Sequence, residues 1–124
     1  MPRDYPRTRR VAELLQRELS ALIRDRLKDP EVGMVTISDV EVSRDLAHAR
    51  VYFTLLGGEA ERERTREALQ RAAGFLRREL GRELHLRTIP QLRFIYDDTM
   101  DRGNRVSALI DQALSGRDAP DEDE

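Results

Sequence analysis

The sequence predicts an α+β domain, with helices on one face of a three-stranded sheet in the order helix, strand, strand, helix-kink-helix, strand, helix. Three patterns predict it. Apolar residues recur at three- and four-residue steps from Val11 to Leu27, as on an amphipathic helix. They alternate strictly from Ala47 to Leu55, as on a half-buried strand. A long helical stretch from Glu59 to Leu84 then separates that strand from a third, apolar at Leu92, Phe94 and Tyr96.

The first helix carries Val11, Leu14, Leu15, Leu19, Leu22, Ile23 and Leu27 on one stripe. Asp4 and Thr8 are both suited to cap its start. Asp29-Pro30 ends it, because the residue before proline is pushed out of the helical region. The first strand runs from Met34 to Ser43. Val35 and Ile37 share one of its faces while Val40 and Val42 fall on the other, so the phase flips near Ser38-Asp39 and a bulge is expected there. Ser43-Arg44-Asp45 is turn chemistry and makes the first two strands a hairpin. Gly57-Gly58 stops the second strand. In the long helical stretch Leu69, Ala73, Leu76, Leu80 and Leu84 form the buried stripe. A glycine inside a helix costs about 1 kcal/mol against alanine. Gly74 therefore marks a bend or a close approach, and the kink is placed at Ala72-Ala73-Gly74, with Gly81 a second weak point. Pro90 opens the third strand and Asp97-Asp98 closes it. The last helix carries Val106, Leu109, Ile110, Ala113 and Leu114.

With 124 residues the chain fits one domain and one modest core. Residues 1-116 form the expected domain and 117-124 a disordered acidic tail. The net charge of -2 conceals this division. The last seven residues hold five acids and no base; without them 22 bases face 19 acids, a body of +3. Lys28 is the single lysine. Arginine forks onto phosphate and stacks on bases as lysine cannot, although genome composition or a hot habitat produces the same bias. No cysteine is present, which excludes disulfides and thiolate chemistry. No apolar run approaches the roughly 20 residues of a membrane span. The opening Met-Pro-Arg-Asp-Tyr-Pro lacks an apolar secretory region, so a cytoplasmic protein is expected.

The element order matches the type II KH arrangement, and the residues resemble the bacterial ribosome-binding factor A family. The likeness runs from Arg7 to Leu114. It is carried by Ile37-Ser38-Asp39-Val40-Glu41-Val42-Ser43-Arg44-Asp45-Leu46 and on through Tyr52, by Lys28-Asp29-Pro30, by Pro90-Gln91-Leu92-Arg93-Phe94, and by Gly103-Asn104-Arg105-Val106. A typical KH domain clamps RNA with a Gly-x-x-Gly loop. None stands between the paired helices here; Ala72-Ala73-Gly74 is similar to the family's Ala-x-Gly kink instead. The resemblance implies a binding protein without catalytic activity; the sequence shows no oligomer signal and no metal or cofactor motif, so a monomer without either is expected. The resemblance also implies binding to the free, immature small ribosomal subunit and its 16S rRNA, in late rRNA processing and folding, with a role in cold adaptation. No membrane and no small-molecule substrate are implied.

Nine arginines and four glutamates lie between Arg62 and Arg93. At about 100° per residue, Arg64, Arg71 and Arg78 share one face away from the leucines, and Arg82 falls near them. Phe75 lands between Arg71 and Arg78, where a ring stacks on a base while guanidiniums hold phosphates; a bend at Gly74 turns it into the core instead. Glu63, Glu67, Glu79 and Glu83 are spaced to neutralise these arginines. The expected RNA-contacting set is Arg64, Arg71, Ala72, Ala73, Gly74, Phe75, Arg77, Arg78, Arg82 and Arg87. Arg7, Arg9 and Arg10, with Arg3, form a second basic cluster that serves either phosphate contact or solubility. Arg44 and Arg50 on the hairpin read as protection of a sheet edge.

Other chemistries fit less well. His48 and His85 have no partner at metal-ligand spacing and read as surface residues. Asp97, Asp98 and Asp101 could hold magnesium for a nuclease, but capping of the last helix explains them too. No phosphate loop is present. An adaptor whose basic face binds an acidic partner protein is the alternative to RNA.

Overall fold

The computed structural model describes residues 7-116, without the side chains of 101, 104, 115 and 116. The acidic tail, Arg3 and Asp4 lie outside the described residues.

Helix α1 spans Arg7–Asp25 and buries Val11, Leu15, Leu19, Leu22 and Ile23. Thr8 sits inside its first turn and so is not its cap. The helix stops short of the proline. Both Arg26 and Leu27 direct their N–H to the Leu22 carbonyl, 2.8 and 3.0 Å away, and the doubled bond unwinds the last turn. Asp29 then accepts the Glu31 N–H at 2.9 Å, closing the Asp-Pro turn.

Strand β1, Thr36–Val42, pairs antiparallel with β2, His48–Thr54. The register steps from Ile37 opposite Phe53 to Asp39 opposite Tyr52. Ser38 is therefore the extra residue of the expected bulge. The step rephases the strand, so Ile37 and Val40 both reach the core. In the connecting turn Asp45 accepts from the Ser43 hydroxyl and the Ala47 N–H. Leu46 takes a φ of 63° there, a left-handed backbone that costs an L-residue about 1–2 kcal/mol.

Gly57, at φ 151°, makes the exit from β2 with a backbone that only glycine adopts without strain. Helix α2, Glu59–Arg71, and helix α3, Ala73–Glu83, follow. Helix α3 passes unbroken through Gly81, contrary to expectation. A Cβ at Gly81 would meet nothing nearer than Ile89, 3.9 Å away, so neither strain nor crowding acts there. Strand β3, Gln91–Tyr96, returns parallel to β2. A parallel neighbour requires a crossover, and α2–α3 supplies it.

The sheet order is β1-β2-β3, which makes β2 the central strand. Arg50 on β2 therefore protects no edge; it pairs across the open face with Glu41 at 2.8 Å. Helix α1 lies over β1, α2 over β3, and α3 packs between α1 and β3. Phe53, Phe94, Leu69, Leu76 and Leu80 fill the layer between sheet and helices. The sheet's other face is polar. Helix α4, Thr99–Gly116, leaves from the end of β3. Asp97 accepts the Thr99 N–H at 2.9 Å and the Ser38 hydroxyl at 2.6 Å, so it holds the helix start as the capping reading expects. These bonds keep its carboxyl below the usual range. The stripe of α4 does not join the core: Val106, Leu109, Ile110 and Leu114 are exposed.

Candidate nucleic-acid interface

The break between α2 and α3 is one residue wide. Ala72 has φ -85° and ψ 0°, in the bridge region where a helix can turn without leaving right-handed space. Its N–H is shared between the Ala68 and Leu69 carbonyls at 3.1 Å each, and its carbonyl accepts the Leu76 N–H at 2.9 Å. One helix thus ends on the atoms that begin the next. No side chain caps α3. Ala72 and Ala73 pack their methyls against the core. Gly74 is exposed, and a Cβ there would meet only the end of Arg78, 3.7 Å away. The close approach expected at Gly74 is thus not made within this chain; the free space faces solvent.

The arginines of this stretch divide into two sets. Arg71 and Arg78 are exposed on either side of Gly74, and neither enters any ion pair among the described residues. Arg87 is exposed just beyond α3. Arg82 is 74% exposed and only loosely held by Glu79, at 3.9 Å. These four of the expected residues are exposed. Arg64 is exposed as well, but it leans 3.4 Å from Glu31, at the far end of α2 from the kink.

Arg77 corrects the expectation. Its Nε donates to the Pro90 carbonyl at 3.0 Å and its Nη2 to the Ile89 carbonyl at 2.8 Å. Both donations point inward, to the backbone that leads into β3, so this guanidinium is not presented to a ligand. Phe75 takes neither extreme: it is half-buried and packs against the core, leaving only part of its ring outside. Among the glutamates, Glu63 takes Arg66 at 2.6 Å. This holds the Glu63 carboxyl below its ordinary range. Glu79 is buried and takes Arg26 of the α1–β1 loop at 2.9 Å.

Arg7, Arg9 and Arg10 stand elsewhere. They belong to the first turns of α1, where Thr8 and Arg9 line a groove with Asp39 to Val42 along β1. The kink lies along β3, at the opposite edge of the sheet. The structure therefore does not gather the two basic clusters into one site.

Several contacts have no signal in the sequence. Arg62 lies over the Tyr96 ring, 4.3 Å from its centroid, a cation–π contact. Gln70 accepts the Phe94 N–H at 3.0 Å and donates to the Leu92 carbonyl at 2.9 Å. It replaces the neighbour strand that β3 lacks. The magnesium reading loses two of its ligands: Asp97 is occupied by Ser38 and Thr99, and Asp98 by Arg102 at 3.1 Å. The Asp101 side chain lies outside the described residues.

The chain matches the family model described as ribosome-binding factor A over residues 7–110. It is 63% identical over 126 residues to ribosome-binding factor A of Thioalkalivibrio sulfidiphilus, covering 100% of this chain and 98% of that one. The solution structure of a Thermotoga maritima protein described as a putative ribosome binding factor A superposes with a TM-score of 0.68 at 34% identity, covering 77% of this chain and 91% of that one. A homology model of the Thermus thermophilus ribosome binding factor A, as fitted into the cryo-electron microscopy map of a complex with the 30S subunit, superposes with a TM-score of 0.59 at 30% identity, covering 69% of this chain and 90% of that one. On a match that spans nearly all of the described residues, the chain belongs to the ribosome-binding factor A family.

Proposed function

We propose that this protein binds the small ribosomal subunit during its maturation and grips 16S rRNA with the outer face of the α2–α3 junction. It acts as a binding factor and not as an enzyme, and the cytoplasm, where subunits mature, is its place of work. The observation that carries the site is the pair Arg71 and Arg78, on either side of an exposed glycine and without ion pairs among the described residues. Guanidiniums bind phosphates bidentately, and the open space at Gly74 lets an RNA backbone approach the helix junction closely. The Thermus relative fitted into a 30S complex supports the partner. Recognition is of shape and phosphate. A bound protein shifts an RNA equilibrium only by its differential affinity for the two forms, so it holds the conformation that fits the kink until maturation proceeds.

The test is co-sedimentation with small subunits, large subunits and whole ribosomes at low and moderate salt. Stoichiometric pelleting with small subunits alone is expected, and its loss when Arg71, Arg78 and Arg82 are changed together to glutamate. Equal pelleting with all three particles, vanishing at moderate salt, would show generic phosphate binding. Selective pelleting that survives the triple change would remove the site from the kink.

A further inference from the structure

The large apolar side chains that stand exposed among the described residues fall into two groups. Val106, Leu109, Ile110 and Leu114 make the stripe of α4. Met34, Leu56 and Met100, at 95%, 99% and 70% exposure, stand around a cleft at one end of the sheet. Among the described residues neither group is covered by another element: α4 packs substantially on no other helix or strand. Isolated helices of this length are marginal in water even when rich in alanine. Gly103, Asn104 and Ser107 weaken this one further. Helix α4 therefore needs a cover for its stripe.

The register places that cover beside it. Thr36 of β1 stands opposite Thr54 of β2, and Phe53 of β2 opposite Tyr96 of β3. Thr36, Thr54 and Asp97 consequently sit side by side at one end of the sheet, with Met34 and Leu56 two residues further on at that same end. With strands about 4.8 Å apart, the step from β3 to β1 is about 10 Å. Val106 lies seven residues beyond Thr99, also about 10 Å along a helix. A helix swung about Asp97-Asp98 across the strand ends thus brings Val106 over Met34. Past Met34 the cleft continues into a second one, which shares Gly33, Met34 and Thr36 with the first and is walled by Ile23, Leu27, Val32 and Val35. It lies in the path of Leu109, Ile110 and Leu114.

We propose that α4 is a strap that closes over this end of the domain, laying its stripe across Leu56 and Met34 and into the cleft beside α1. Arg64 lines the first cleft, so the closed strap shields it, whereas Arg71 and Arg78 at the kink stay open. Closure is set by the chain's own apolar surfaces and does not depend on the reading of the kink as an RNA site.

Amide hydrogen exchange on the full chain tests this, compared with a synthetic peptide of residues 99-116. The expected result is α4 exchange at least about tenfold slower than in the peptide, independent of protein concentration. The protection is lost in Met34→Asp/Leu56→Asp while the strands keep theirs. Both positions are exposed and outside the core, so the variant folds. Exchange as fast as in the peptide would overturn the proposal. So would protection that survives the double change, or protection that fades on dilution, which would assign the cover to a second copy.

Discussion

The two faces of the α2–α3 pair both carry polar side chains, and those side chains do opposite work. Arg77 and Arg78 are neighbours in sequence. Arg77 turns inward and holds the carbonyls of Ile89 and Pro90, while Arg78 stands in solvent without an ion pair among the described residues. Gln70 and Arg71 divide in the same way, Gln70 completing the edge of β3 and Arg71 pointing out. The inner face spends its polar groups on the backbone of an edge strand, because buried carbonyls and N–H groups must be paired. The outer face leaves Arg71 and Arg78, on either side of Gly74, without an ion pair among the described residues, which suits a polyanion. A charged residue's part in this protein is thus set by which side of the helix it occupies and not by its type.

Substitutions on the two faces should separate cleanly. The largest effect is expected from Leu76→Ala. This residue is fully buried under α3, and losing it should cost about 2–5 kcal/mol in denaturant unfolding. Arg77→Ala comes next. It strands two carbonyls at the start of β3 and should cost about 2 kcal/mol, with subunit binding retained at temperatures where the variant is folded. If Arg77→Ala left stability unchanged and abolished binding, the division of the two faces would fail at its central pair. Arg78→Ala is the counterpart: stability within about 0.5 kcal/mol of the parent, binding to small subunits weakened, and the salt dependence of binding reduced by about one ion.

The smallest effect is one of pH. Asp97 is held below the carboxylate's ordinary value of 3.8, first by the Ser38 hydroxyl and then by Thr99. A carboxyl depressed on folding adds stability that is present above its unfolded value and is lost as the pH falls through the lower folded one. Thermal melts taken downward from pH 5 should therefore show a slope that Asp97→Asn reduces. An unchanged slope would mean that the Ser38–Asp97–Thr99 link contributes nothing to the join between β1 and α4.

Much of this was legible in the sequence because it is written in local periods. The phase flip at Ser38-Asp39 located the bulge, since a period of two cannot absorb an odd residue without one. The run Ala72-Ala73-Gly74 located the kink, where small side chains let two helices share the atoms of a single turn. The exposed arginines at 64, 71, 78 and 82 followed from angle counting along the helix. Gly81 shows the limit of such counting: its propensity cost is real, but Leu76 and Leu80 in the core before it and Leu84 packed against the core after it carry the helix through.

Sequence alone determined the elements, their order, the kink and the outward arginines, because each rests on residues within a turn or two of one another. Only the tertiary structure decided the rest. Glu79 meets Arg26 across 53 residues, Arg77 meets a strand that begins after a loop, Arg50 lies on a central strand and not an edge, and the basic start of α1 sits along β1 while the kink lies along β3. The apolar stripe of α4 was plain in the sequence, but that the core leaves it uncovered was not. A hydrophobic period says which face must be buried; what buries it depends on elements brought together only when the chain has folded.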